Sequence, residues 1–128
     1  MLTQLQPAQD PHIDHILLEK LRRLMEPEAF RTVLESFLDR SRIHVGNAQR
    51  CLVEGDLEKL KFTVHSIKGS GANVGLAGLA QLCADLEKQI KQGENLETLR
   101  QCFELVSIEY EADRHYLLAL TRSLSNNA

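Results

Sequence analysis

Apolar residues recurring at steps of three and four constrain this chain more than any other feature. From Phe30 the positions Leu34, Phe37, Ser41, Val45, Ala48 and Leu52 hold that spacing with one polar interruption. Leu57, Leu60, Val64 and Ile67 repeat it, as do Leu76, Leu79, Cys83, Leu86 and Ile90, then Leu96, Leu99, Phe103, Val106 and Tyr110. At about 100° per residue, each set falls on one side of a helix and needs a neighbour to cover it. Four such segments with short connections predict an all-α fold, an antiparallel up-down four-helix bundle. The chain has neither βαβ alternation nor a repeat of solenoid length.

Punctuation places the helix ends. Residues 1–11 hold Pro7, Pro11 and several glutamines without periodicity, and read as a linker or disordered tail. Asp14 can cap a short extra N-terminal helix through Ile16, Leu17, Leu18, Leu21 and Leu24, expected to cover one end of the bundle. Pro27 suits the first turn of the next helix, where the N–H it lacks would be unpaired anyway. Gly55 ends that helix and Asp56 caps the following one, which should stop between Asn73 and Gly75. The fourth ends at Gly93, and Asn95 can cap the last. Asp113 breaks the final stripe before Leu117 and Leu120 resume it, and Ser123 to Ala128 read as a polar tail. A single domain over residues 12–122 is expected.

Composition narrows the function. A formal charge of −3 argues against a general nucleic-acid binder, because phosphate contacts need a basic surface. No apolar run is long enough to span a bilayer and no signal-like start is present, so no direct membrane contact and a cytoplasmic location are expected. The three cysteines (Cys51, Cys83 and Cys102) lack CxxC spacing, which disfavours zinc and disulfides and suits a reducing compartment. His12 and His15 stand three apart beside the tail, and His44 and His115 lie in long helices without a motif; none reads as a metal ligand.

The run Val64-His65-Ser66-Ile67-Lys68-Gly69-Ser70-Gly71-Ala72-Asn73-Val74-Gly75 stands apart. His65 lies off its helix's apolar stripe, on a face shared with Lys61, Lys68, Gly69 and Ala72. Gly69 and Gly71 are poor helix-interior residues, each costing about 0.8–1.0 kcal/mol relative to Ala, and are odd choices unless a missing side chain matters. An imidazole near neutrality offers a ring lone pair as nucleophile, here beside the positive charge of Lys68 one turn away. Neither a Walker-type phosphate loop nor an acidic cluster for Mg²⁺ accompanies it, so the chain is not expected to use ATP alone.

His65-Ser66-Ile67-Lys68-Gly69-Ser70, followed by Gly75, Leu79, Leu82-Cys83 and Leu86-Glu87, resembles the signature of histidine-containing phosphotransfer (HPt) domains. The resemblance implies a four-helix bundle that carries a phosphoryl group on one histidine between receiver-domain aspartates. It implies His65 as the phosphorylated residue, Lys68 as its charge partner, and Gly69, Lys61 and Ala72 as the surface where a partner closes in. It further implies Glu87, twenty-two residues on, as acceptor from Nδ1–H, leaving Nε2 to be phosphorylated, with Lys91 as a possible rim residue. A plainer reading of Glu87 and Lys91 is an ordinary i,i+4 ion pair. Gly71 stands where the family often has a small hydroxyl or alanine, and Thr63-Val64 precedes the histidine where an alanine is usual; both changes are size-compatible and remove no reactive group.

The partners implied are response-regulator receiver domains, which bring their own Mg²⁺; no cofactor of its own is expected. A carrier rather than an enzyme is implied, monomeric because the bundle buries its own stripes. The tail-like start suggests the end of a hybrid sensor kinase, the cytoplasmic end of a membrane-anchored sensor, with a free-standing carrier as the alternative. Two other readings stand beside it: an acceptor domain phosphorylated directly by an ATP-binding domain, and a helical adaptor in which His65 is incidental.

Overall fold

Side-chain caps start three of the five helices in the computed structural model, which describes residues 12–126; the expected linker at 1–11 lies outside them. Helix α1 spans His15–Leu24, α2 Pro27–Glu54, α3 Leu57–Asn73, α4 Ala77–Lys91 and α5 Leu96–Asn126. The carboxylate of Asp14 accepts from the Leu17 N–H at 3.0 Å, and that of Asp56 from the Lys59 N–H at 3.1 Å. The Asn95 side-chain oxygen accepts from the Thr98 N–H at 2.8 Å. Each satisfies a donor that the first helical turn leaves without a partner. Pro27 sits at the start of α2, and Gly55 closes it in the left-handed conformation at φ +75°.

Helix α3 packs on α2 and α4, and α5 on α2 and α4, which makes a square of four helices around one core. The fold is therefore an all-α bundle with a short extra helix. Leu34, Leu60, Val64, Ile67, Leu79, Cys83, Leu86, Leu99, Val106 and Leu117 are fully enclosed. Ser41, the polar interruption in the α2 stripe, is equally buried and shares a hydrogen bond of 2.9 Å with the Tyr110 hydroxyl. The hydroxyl pair lets two polar groups cross the core at little cost, since each satisfies the other.

Helix α1 caps the end where α3 turns into α4. The turn depends on Gly75 at φ +84°, a conformation that side chains with a Cβ rarely adopt. A Cβ there would also stand 3.1 Å from the Asp14 carbonyl oxygen and from Leu18 Cγ. The Gly75 carbonyl accepts from the Asp14 N–H at 2.7 Å, so the same residue reverses the chain and anchors α1. Of the α1 apolar residues only Leu18 is buried, while Ile16 and Leu24 face solvent.

Two expectations about the last helix are corrected. Asp113 does not break the stripe but is buried within it, between Tyr110 and Leu117. The polar tail expected from Ser123 is helical as far as Asn126. Leu117, Thr121 and Leu124 stay on the buried side at helical spacing, and the Arg31 guanidinium donates to the Ser125 hydroxyl at 2.9 Å. Tertiary packing on α1 and α2 carries the helix past the point where hydropathy alone would end it.

Leu86 is completely enclosed on α4. Leu86→Ala is expected to lower unfolding free energy by about 2–5 kcal/mol in urea titration, through lost transfer energy and the cavity left behind.

Candidate functional site

The turn centred on Gly75 and Leu76 sets the register of α3 against α4. In an antiparallel pair folded about residue 76, His65 lies level with Glu87, Lys68 with Ala84, and Lys61 with Lys91. These six residues, together with Lys88, line a shallow depression of about 310 Å³. Chain reversal alone thus gathers residues up to thirty apart in sequence.

Within the depression one carboxylate holds two partners. Glu87 Oε2 lies 2.8 Å from His65 Nδ1, and Glu87 Oε1 lies 2.6 Å from Lys68 Nζ. The His65 side chain is 66% exposed, whereas that of Glu87 is only 16% exposed. Burial pulls the Glu87 carboxyl upward in pKa, but the hydrogen bonds from Lys68 and His65 outweigh it and hold it below the usual range. An ionised carboxylate only accepts, so Nδ1 carries the proton and donates to it. In the neutral ring the lone pair then belongs to Nε2. Among the described residues, the hydrogen bonding of the ring runs through Nδ1 alone.

The face around the ring is open. Lys61, Gly69 and Ala72 are exposed beside His65, and a Cβ added at Gly69 would meet nothing within 4 Å. The fold therefore gives no steric reason for glycine at position 69. Gly71 differs: it is buried, and a Cβ there would touch Leu79 Cδ2 at 3.4 Å, an ordinary contact distance. Beneath the site Cys83 is enclosed, and burial, reinforced by the Glu87 carboxylate, pushes its thiol up to about 12. It packs as a small apolar group with no accessible thiolate.

Sequence reasoning placed His65, Lys61, Lys68, Gly69, Ala72, Glu87 and Lys91 near one another; in the structure His65, Lys61, Lys68, Glu87 and Lys91 line one depression, Ala72 lines a neighbouring one with Lys68, and Gly69 lines neither but is exposed on α3. It left out two features. Lys88 joins the lysine rim, and Lys68 is bound to Glu87 rather than standing apart from it. Glu87 spends both oxygens on α3 and forms no i,i+4 pair with Lys91. Counting residues outward from the turn would have brought Lys88 to the rim, but it sets Lys68 level with Ala84 and so does not give the bond to Glu87. His12 and His15 lie elsewhere, His12 Nδ1 3.7 Å from Glu109 Oε1 and His15 edge-on to the Tyr116 ring.

The Hpt domain family model matches residues 32–122. The chain belongs to the Hpt domain family. It is 31% identical over 98 residues to histidine-containing phosphotransfer protein 2 of Arabidopsis thaliana, a match covering 74% of this chain. The match spans 62% of that relative's length. The crystal structure of histidine-containing phosphotransfer protein B from Pseudomonas aeruginosa PAO1 superimposes with a TM-score of 0.82 at 28% identity. That likeness covers 88% of this chain and 96% of the other.

Two measurements check the site's construction. A folded pKa held below the unfolded one contributes stability that is present above the unfolded value and lost as pH falls through the folded value. Urea titrations across the acid range should therefore show a Glu87→Gln variant losing less stability on acidification than the wild type. Gly69→Ala, in a helix interior with open space around it, should raise unfolding free energy by about 0.5–1 kcal/mol in the same assay.

Proposed function

We propose that the chain is a phosphorelay carrier that takes a phosphoryl group from a receiver-domain aspartate onto His65 Nε2 and passes it to another receiver aspartate. The arrangement supporting this is the exposed ring whose Nδ1–H is tied to Glu87, with Lys68 on the same carboxylate. In the forward step the Nε2 lone pair attacks phosphorus, the N–P bond forms, and the P–O bond to the aspartate breaks with its electrons returning to that carboxylate. The ring keeps its Nδ1 proton and becomes cationic, and Glu87 is placed to stabilise that charge. Lys68 can exchange its Glu87 oxygen for a phosphoryl oxygen on the same face, compensating the charge delivered. The reverse step, onto a second receiver, uses the same groups.

On this reading Mg²⁺ belongs to the receiver, whose aspartyl phosphate it accompanies, and the carrier contributes a nucleophile and a docking face. Gly69 leaves room for the receiver's site to close over the ring. No helix among the described residues is long and apolar enough to cross a membrane, which suits a partner of cytoplasmic receivers. The chain acts as a monomer, each stripe being covered by its own bundle.

Incubation with a panel of phosphorylated receivers tests this. Wild type should acquire label that is lost in mild acid and kept in base, and His65→Gln should acquire none. Label on His65→Gln, or transfer only from an ATP-binding kinase domain, would refute the receiver route.

A further inference from the structure

Three of the four phenylalanines are buried to 5% exposure or less, whereas Phe62 is 72% exposed. Of the large apolar side chains facing solvent among the described residues, it is the one carried on α3 or α4; the others lie on α1, α2 and α5. A single exposed apolar residue is ordinary on a protein surface. Its position is what matters. Phe62 precedes His65 by three residues, about 4.5 Å along the helix axis and about 60° around it. Lys61 and Lys68 lie about 40° and 60° around the other way, toward α4 and the rim of Lys88 and Lys91. Gly69 stands on the Phe62 side, one turn beyond the ring, with open space over it.

We propose that Phe62 is the apolar anchor on which a receiver domain seats, and that it sets which receivers this carrier accepts. This rests on the carrier reading above. A partner whose phosphoryl group reaches Nε2 has to cover the helix around His65. A specific interface removes about 800 Å² per partner from water, a disc of roughly 16 Å radius, so Phe62 falls well inside it. Exposed aromatics at the centre of such a patch carry a disproportionate share of binding, and charged rims mainly speed encounter. The surface around His65 is divided accordingly. The four lysines face a partner made anionic by its phosphoryl group and metal-binding carboxylates. Phe62 beside bare Gly69 offers a flat apolar contact that holds the complex. The matching receiver carries an apolar patch on one side of its acidic pocket.

The test titrates the phosphorylated receiver that labels wild type best and follows the initial rate of transfer. Wild type, Phe62→Ala, Phe62→Tyr and a distant control, Ile108→Ala, are compared, with phosphoramidate as a small phosphoryl donor that needs no docking. Phe62→Ala should raise the receiver concentration for half-maximal rate at least tenfold. Its maximal rate and its phosphoramidate labelling should stay within twofold of wild type. Phe62→Tyr should recover most of the loss, and Ile108→Ala should match wild type. Superimposable titrations for wild type and Phe62→Ala would overturn the anchor while leaving the carrier reading intact. So would an equal loss of phosphoramidate labelling, which would put Phe62 in the acceptor chemistry. Phosphoramidate labelling of wild type with no transfer from any receiver would remove the carrier reading and the anchor with it.

Discussion

One carboxylate joins the two halves of the site. Glu87 reaches from α4 to His65 Nδ1 through one oxygen and to Lys68 Nζ through the other, so both α3 side chains take their positions from α4. That bridge exists only because α3 and α4 meet in a fixed register, and the register is fixed by a three-residue connection containing Gly75. Leu79, Cys83 and Leu86 lock α4 onto Leu60, Val64 and Ile67 of α3 from beneath, inside one continuous core. Packing on one side of the helix pair therefore sets the geometry on the other. On the proposed reading, a carrier that contributes a positioned nucleophile needs rigidity of this kind more than it needs a cavity.

The two faces of α3 are built to different rules. The inner face follows core packing, with Leu60, Thr63, Val64, Ile67 and Gly71 buried against the neighbouring helices. The outer face follows neither packing nor helix propensity: it keeps an unobstructed glycine at 69, an uncovered phenylalanine at 62 and an imidazole held by a single nitrogen. Each of these choices is neutral or unfavourable for the isolated bundle. They make sense together for a surface that another protein covers for part of its cycle, and the match to the Hpt domain family is consistent with that division.

Much of this was legible in the sequence because helical periodicity and capping are local. Asp14, Asp56 and Asn95 start helices where their side chains alone imply it, and the core stripes run through the residues that spacing selects. The separation of His65 and Glu87 is readable too, as the distance across a hairpin turn. What escaped depends on contacts between segments. Hydropathy marks Asp113 as a break and the last residues as a tail, yet packing on neighbouring helices keeps both in one continuous helix. The Ser41 interruption is resolved only by Tyr110, sixty-nine residues away. Lys68 was placed on the right face, but its bond to Glu87 depends on where a flexible side chain finds a partner across the interface. A sequence does not give that without the register.

The most direct measurement is long-range ¹H–¹⁵N correlation on histidine-labelled protein, before and after transfer from a phosphorylated receiver. Before transfer, the account predicts that His65 in its neutral form carries its proton on Nδ1. After transfer, the ³¹P coupling and the nitrogen shift should move to Nε2 of the same ring, with Nδ1 still protonated against Glu87. A phosphoryl group on Nδ1, or on another of the five histidines, would contradict it.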